Sequence, residues 1–520
     1  MTELTPPSVL PGGSKQEASG LQSRLAVFNV LISFEHAANA WDVELLGHVE
    51  LDQVDPGRVP SNAIPAKPSR ATYRPKAPSR KGVLKANQLL DAALGGSPIS
   101  NPPSQAISLS ESERAWINHL SYGILRRWYL LERWVSPRCH TPWRMLEPSV
   151  RLLLRMGTYQ LLYMDAVPAF AAIHTSVALA KQLHLSAKAV KLINAVLRRV
   201  QANLPNTALP PLERLATASN EALAVEFGWP VWLLKRLAKQ YDRSTLLSIL
   251  QYSQQPAGNG LRVNTLKTTV EAYQQRLLAQ NISFLQPFPD TLPEFFWLPP
   301  GSGGPGRWPG IDSGEVYPQD LGSGWIAHLL DPQPGEILLD LCAAPGSKAS
   351  HLWQRMQGQG RLYALDCNAS RVQLLRETFR RLGIDTPDVQ CLLQNALQFQ
   401  PDPAWIADRI LLDAPCSGLG TVRRHPEILL LLTPGHIAAQ TLLQQALIEQ
   451  AASLLRPGGV LVYSTCSLDA SENQAIVDRF LEQHPSFVSQ PSPKLWPEPL
   501  GPYTDGFYHA VLSKTALHNE

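Results

Sequence analysis

The sequence predicts an α/β protein in three parts: a helical N-terminal region, a small mixed segment, and a C-terminal doubly wound parallel sheet. Three observations predict it. Apolar residues recur at helical spacing from about 21 to 200, short β-rich runs alternate with helical stretches from 311 onward, and Pro/Gly-rich stretches separate these regions.

The first 20 residues, beginning "MTELTPPSVLPGGSKQ", are polar and broken by Pro and Gly, so disorder is expected there. They do not resemble a secretion signal, and no apolar run in the chain approaches the roughly 20 residues that cross a bilayer. A cytoplasmic protein with no membrane partner is expected. Six cysteines scattered through 520 residues make no disulfide framework, and no CxxC pair suggests a metal, so none is expected. Any special cysteine is then special by its chemistry.

Residues 21–205 read as a helical domain. "SERAWINHLSYGILRRWYLLERWV" places Ile117, Leu120, Ile124, Leu125 and Leu131 near helical spacing, and "EPSVRLLLRMGTYQLLYM" does the same with Val150, Leu153, Leu154, Leu161 and Leu162. A third helix, "SVALAKQLHLSAKAVKLINAVLRRV", ends with Arg198 and Arg199, suited to a helix C-terminus or to a phosphate. A Pro-rich insertion at about 47–103 interrupts the pattern. Within it Arg58, Lys67, Arg70, Arg74, Lys76, Arg80, Lys81 and Lys85 occur without one acid between Pro56 and Leu90. That stretch is either a solvated basic loop or an arm that contacts phosphates. The net charge of +3 argues for neither.

After the linker "PNTALPPLE", residues 214–310 mix helices with the strand-like "GNGLRVNTLKTT" and close on "LPPGSGGPGRWPG", a domain edge or mobile loop. From 311 to 520 the strands are "GEILLDLCAAPG", "GRLYALDCN", "DVQCLLQNA", "DRILLDAPC" and "GGVLVYSTC". Their alternation with helices implies a parallel sheet with ligands at the strands' carboxyl ends. Thr433 and Pro434 have the pattern of a helix start that stops at Pro-Gly-Gly, and Asp469 and Glu472 have capping-box spacing before "NQAIVDRFL".

The first of these strands delivers "DLCAAPGSK", and Asp366 ends the second. A glycine-bearing turn followed some twenty residues later by an acid is the logic of an adenosine site. With Gly346 as the turn's one glycine, a pyrophosphate is poorly served, and S-adenosylmethionine fits better. The same lack of GxGxxG disfavours a nicotinamide oxidoreductase. An ordinary strand-helix turn is the plainer alternative.

"LDLCAAPGSKASHL", "DAPCSGLGTVRRHPE" and "YSTCSLDASENQAIVDRFL", in that order, resemble the RNA cytosine-5 methyltransferases of the RsmB/Fmu/Sun family. The likeness extends upstream. "RVNTLK", spanning Arg262 to Lys267, is similar to the region preceding that family's catalytic domain. "MGTYQLLYMDAVPAFAAIHTSVALAK" and "LINAVLRRV" resemble the NusB-like RNA-binding domain of its bacterial 16S rRNA members. The resemblance implies a Rossmann-like class I methyltransferase domain that uses S-adenosyl-L-methionine. Its partner would be 16S rRNA or a small-subunit assembly intermediate, and a monomer is expected. Cys342, Ala343, Ala344, Pro345, Gly346, Ser347 and Lys348 would line the cofactor site, Asp366 would hold its ribose, and Asp413 would lie close to cofactor and base. Where the family has a further acid near the adenine, this chain has Asn395, whose amide oxygen can still accept a hydrogen bond.

Carbon 5 of cytosine is a poor nucleophile, and addition of a thiolate to carbon 6 makes it enamine-like. Cys416 and Cys466 both follow strands and precede helices, so residue context alone does not rank them as nucleophile. The resemblance does: it makes Cys466 the nucleophile, Cys416 an aid to product release, and Asp413 a contact of the cytosine edge. Cys342 is expected to pack rather than react. Candidate RNA contacts are Arg198, Arg199, Arg262, Lys267, Arg423 and Arg424, the last two being equally suited to a solvated surface. The alternatives are the same chemistry on tRNA or another RNA, or a non-catalytic NusB-like assembly factor.

Overall fold

The computed structural model describes residues 20–35, 110–204, 211–400, 406–491 and 503–516. The expectations for residues 1–19 and for the basic insertion fall outside them. The chain divides into two compact units, residues 1–214 with 218–232 and residues 215–217 with 233–520.

The first unit is helical. Helices span 20–35, Glu111–Arg126, Trp128–Val135, Pro148–Tyr163, Ala169–Gln182, Ala187–Ala202 and Asn220–Phe227. Ile117, Leu120, Ile124, Leu125 and Leu131 are all buried, as their spacing predicts, but Arg127 leaves helical geometry and divides that segment in two. The third expected helix is also two. His184 adopts a left-handed φ of 54°, and the Ser186 hydroxyl accepts from the Ala189 amide, so a new helix starts there.

The core of this unit contains charge. Glu35, Arg151 and Arg155 are at most 5% exposed, and Glu35 accepts from Arg151 Nε at 2.7 Å and from Arg155 Nη1. Arg155 also bonds Glu132 and lies 4.3 Å above the Trp128 ring, so each buried charge is matched.

The second unit holds two sheets. Three antiparallel strands, β1 (Asn259–Val263), β2 (Phe295–Leu298) and β3 (Val316–Pro318), have the order β2-β1-β3. Trp308 and Val316 are buried with Leu261, Tyr273 and Phe296 in their core. The Gly/Pro cluster is therefore a turn within the small sheet. That sheet runs past position 311, where the sequence pattern suggests an edge.

The larger sheet contains β4 (Ile337–Asp340), β5 (Arg361–Asp366), β6 (Val389–Leu393), β7 (Ala407–Asp413), β8 (Leu455–Thr465), β9 (Phe487–Gln490) and β10 (Tyr508–Lys514). Its order is β6-β5-β4-β7-β8-β10-β9, parallel through β8, with β10 antiparallel to both neighbours. The five expected strands are β4 to β8. The order reverses between β4 and β7, the crevice where such sheets bind ligands. Ile410, Leu411 and Leu412 are fully buried, because helices cover both faces. Thr433 caps the helix Pro434–Leu454 as expected, but the helix ends before Pro-Gly-Gly, which lies inside β8 beside a register shift.

Glu294, just before β2, accepts from His328 and His351 at 2.7 Å each. Arg355 donates to His328 Nδ1, so Nε2 carries the hydrogen that faces Glu294. The trio is a hydrogen-bonded tether from the small sheet to two helices of the larger one. Among the described residues, no helix is long and apolar enough to cross a membrane.

Replacing Glu35 by Ala takes the carboxylate from the buried Arg151 guanidinium and leaves Arg155 with Glu132 alone, and is expected to cost roughly 3–5 kcal/mol of stability, read by chemical denaturation. A loss below about 1 kcal/mol would contradict a matched buried network.

Candidate active site

Strand register brings the candidate residues together. Asp413 at the end of β7 pairs with Ser464 near the end of β8, and Asp340 at the end of β4 pairs with Leu411. From that level the chain runs three residues to Cys416 and two to Cys466. Their sulfurs lie 3.4 Å apart, in hydrogen-bond contact, and neither is in a disulfide.

Glycines let the two loops touch. Gly420 N donates to the Cys466 carbonyl, and Gly506 N donates to Gly420 O. A Cβ on Gly420 would meet Gly506 O at 2.0 Å, so a side chain there would force the loops apart. Gly346 sits at φ 104° as the N-cap of the helix Ser347–Arg355. Its added Cβ would meet Leu375 at 2.8 Å.

Carboxylates crowd this end of the sheet. Lys348 Nζ donates to Asp413 Oδ2 at 2.7 Å, and Ser464 donates to Oδ1 at 2.8 Å. Asp340 is 1% exposed, its Oδ1 accepts from Cys342 N, and its Oδ2 has no partner. Burial, then the Asp413 charge, pushes its carboxyl up to about 7. Asp366 is buried at the end of β5, accepts from Asn368 N and has Arg371 Nη1 at 3.2 Å.

The two thiols differ. Contact with Cys466 first, then burial and the Glu472 charge, raises the Cys416 thiol well above its ordinary range, so Cys416 keeps its proton. Burial opposes the charge on Lys348, but Asp413 and the sulfur of Cys466 hold its ammonium above the usual value. Lys348 thus presents a positive charge to Cys466, and Cys416 a hydrogen-bond donor. Burial raises Cys342 strongly, and that side chain packs against the core, as expected.

Several sequence-based expectations are corrected. Arg423 is 1% exposed, lies 4.2 Å above the Tyr252 ring and bonds Asp505 and Thr504 O, while Arg424 bridges Asp505 and Asp320. Arg423 is closed off from solvent and the half-buried Arg424 is committed to two carboxylates; both anchor the loop. Arg262 is also buried and donates to Gln319, Ser347 O and Ser350, so it braces the helix after the Gly346 turn rather than meeting RNA. Lys267 is exposed, with Nζ on the carbonyls of Ser313 and Arg381. Arg198 and Arg199 are exposed in the other unit, where Arg199 bonds Arg138 O and His140. Asn395 is exposed, and its amide oxygen accepts from Leu397 N. Glu472 forms no capping box. Its carboxylate instead accepts from Ser417 N at 2.8 Å and from the hydroxyls of Ser417 and Ser467.

Comparison with known proteins agrees with this architecture. The family described as 16S rRNA methyltransferase RsmB/F matches residues 327–510, the NusB family matches 85–202, and the ferredoxin-like domain of RsmF/B-like methyltransferases matches 229–291. The NusB match begins within the segment read as an insertion. A Synechocystis protein named "Probable ribosomal RNA small subunit methyltransferase B" is 33% identical over 443 residues, covering 82% of this chain and 94% of its own. The Vibrio cholerae "Ribosomal RNA small subunit methyltransferase B" is 34% identical over 81% of this chain and 94% of its own. The crystal structure of PH0851 superimposes with a TM-score of 0.65 at 26% identity, covering 79% of this chain and 92% of its own. A methyltransferase homolog from Pyrococcus horikoshii gives 0.50 at 29% identity, covering 57% and 99%.

Asp340 makes stability depend on pH with a definite sign. Its folded carboxyl holds a proton to about pH 7, whereas the unfolded one ionises near ~4. The stability it contributes is complete below the unfolded value and is lost as pH rises through the folded one. Between pH 5 and pH 8, Asp340→Asn should gain about 2–3 kcal/mol relative to the parent in thermal denaturation of the ligand-free protein. Parallel curves for the two would contradict the assignment.

Proposed function

The chain belongs to the RsmB/F family of 16S rRNA methyltransferases, and from that premise we propose that it methylates carbon 5 of a cytosine in 16S rRNA through a covalent adduct with Cys466. The observation that carries this reading is the pair of sulfurs 3.4 Å apart in unlike environments at the ends of adjacent strands.

S-adenosylmethionine supplies, when bound, an electrophilic methyl carbon on a sulfonium. The residues fit such a ligand. Burial and the charges of Asp413 and Asp366 raise the cost of ionising Asp340 beside the Gly346 turn, and a ligand with sulfonium and ammonium charges relieves that cost. The unpartnered Asp340 Oδ2 offers an acceptor, and Asp366 at the end of β5 has the position of a ribose ligand. Ala343, Ala344, Pro345, Ser347 and Lys348 complete the turn. Asn395 is less suited to the adenine, since its oxygen is already engaged.

The division of labour between the thiols follows from their surroundings. The Lys348 charge favours the thiolate of Cys466, which adds to carbon 6 and makes carbon 5 nucleophilic. The base is oriented by Asp413, held by Lys348 and Ser464 so that its carboxylate can accept from the cytosine amino group. After methyl transfer a water molecule takes the proton from carbon 5, the C–H electron pair re-forms the C5–C6 double bond, and the C6–S bond breaks with Cys466 leaving as thiolate. Cys416, still protonated, donates to that departing sulfur. A donor at this position stabilises the leaving group, so its loss shifts the balance toward adduct.

The test is incubation with labelled S-adenosylmethionine and unmethylated 16S rRNA, followed by mapping of the product. 5-Methylcytosine is expected in that RNA; its absence, or its appearance in tRNA alone, would overturn the reading. Cys466→Ala should lose roughly 10³-fold or more in turnover and form no protein-RNA adduct. Cys416→Ala should accumulate an adduct that survives SDS. Exchanged phenotypes would reverse the assignment.

A further inference from the structure

We infer that Glu472 is a positioning residue for this reaction: its buried carboxylate joins the Cys416 loop to the Cys466 loop and holds Cys416 where it assists release. The inference rests on the two-cysteine reading above and names a residue that reading does not use.

Glu472 is fully buried, and its hydrogen-bond partners come from both loops. On one side are the amide and hydroxyl of Ser417, which follows Cys416; on the other is the hydroxyl of Ser467, which follows Cys466. The two hydroxyls are themselves 2.9 Å apart. Gln444, from the helix Pro434–Leu454, donates to Glu472 Oε1 at 3.3 Å and to the Pro415 carbonyl at 2.8 Å, which fixes the residue before Cys416. Tyr463 of β8 donates to the Glu472 carbonyl, securing the acid's own backbone.

A carboxylate is acceptor-only, and here it collects donors from three segments at one point. Removing it would leave these donors competing for fewer acceptors inside the protein, and the register between the loops would loosen. The Cys466 loop has further restraints. Asp469 bonds Arg236, Tyr241 donates to Leu468 O, and Gln240 accepts from Ala470 N. On either side of Cys416, Glu472 and its partner Gln444 hold Ser417 and Pro415, beside the Ser417–Ser467 hydroxyl contact and with Gly420 tied to Cys466 O farther along; the Cys466 loop keeps its own anchors when Glu472 is changed, so the change acts on release more than on attack.

The experiment compares Glu472→Gln, which keeps the shape and removes the charge, with Ser417→Ala, which removes one tie and leaves Glu472 in place. In both, kcat should fall about tenfold while KM for RNA and for S-adenosylmethionine stays within about twofold. The fraction of enzyme in SDS-stable adduct should rise above that of the parent. A residue that merely supports the fold would lower adduct and turnover in proportion. That proportional fall, or unchanged turnover in both variants, would overturn the inference. Cys416→Ala is run alongside. If it accumulates adduct and these variants do not, only the role of Glu472 falls; if it accumulates none, the two-cysteine reading falls and this inference with it.

Discussion

The parallel register that sets Asp413 of β7 opposite Ser464 of β8 is the constraint on which the site depends. Successive residues of a strand face opposite ways, so a slip of one residue would turn Asp413 away from Ser464 and carry the loop beyond it to a different height. With the register as it is, two short excursions bring the two sulfurs together, and Lys348 reaches Asp413 from the turn after β4. The register is secured by burial. Ile410, Leu411, Leu412, Leu461, Val462 and Tyr463 are inaccessible to solvent, and a slipped pairing would disturb all of them.

Electrostatics then separates two chemically identical side chains. Cys416 lies against Cys466 and near Glu472, and the contact with Cys466, burial and the Glu472 charge outweigh the opposing Gly418 amide and keep it protonated. Cys466 shares its surroundings with the Lys348 ammonium. A single thiol at this place would have to be a good nucleophile and a good leaving group at once. A proton donor beside it eases the second task, because the hydrogen bond strengthens as negative charge returns to sulfur.

Much of this was legible in the sequence, and the limits are physical. The five parallel strands were readable because buried strands are continuous apolar runs, and the Gly346 turn because few residues fit a left-handed helix start. Two helical segments read as continuous because apolar periodicity persists across Arg127 and across His184, where only the backbone changes direction. Charged residues were the least readable. Arg262, Arg423 and Arg424 look like phosphate contacts in sequence, yet the first two are buried and the half-buried Arg424 is spent on carboxylates, all against groups from segments far away in the chain. Glu472 has capping-box spacing, but its partners are Ser417 and Ser467. Spacing identifies local partners and is silent about those fifty residues or more away.

The central claim is that one particular sulfur attacks the base. It is tested most directly by trapping the unmodified protein on 16S rRNA containing 5-fluorocytidine, whose fluorine cannot leave as a proton does, and identifying the modified peptide by mass spectrometry. The account predicts that the nucleotide is carried by Cys466, with Cys416 unmodified. Finding it on Cys416, or finding no cysteine adduct while methyl transfer to natural RNA proceeds, would contradict the account.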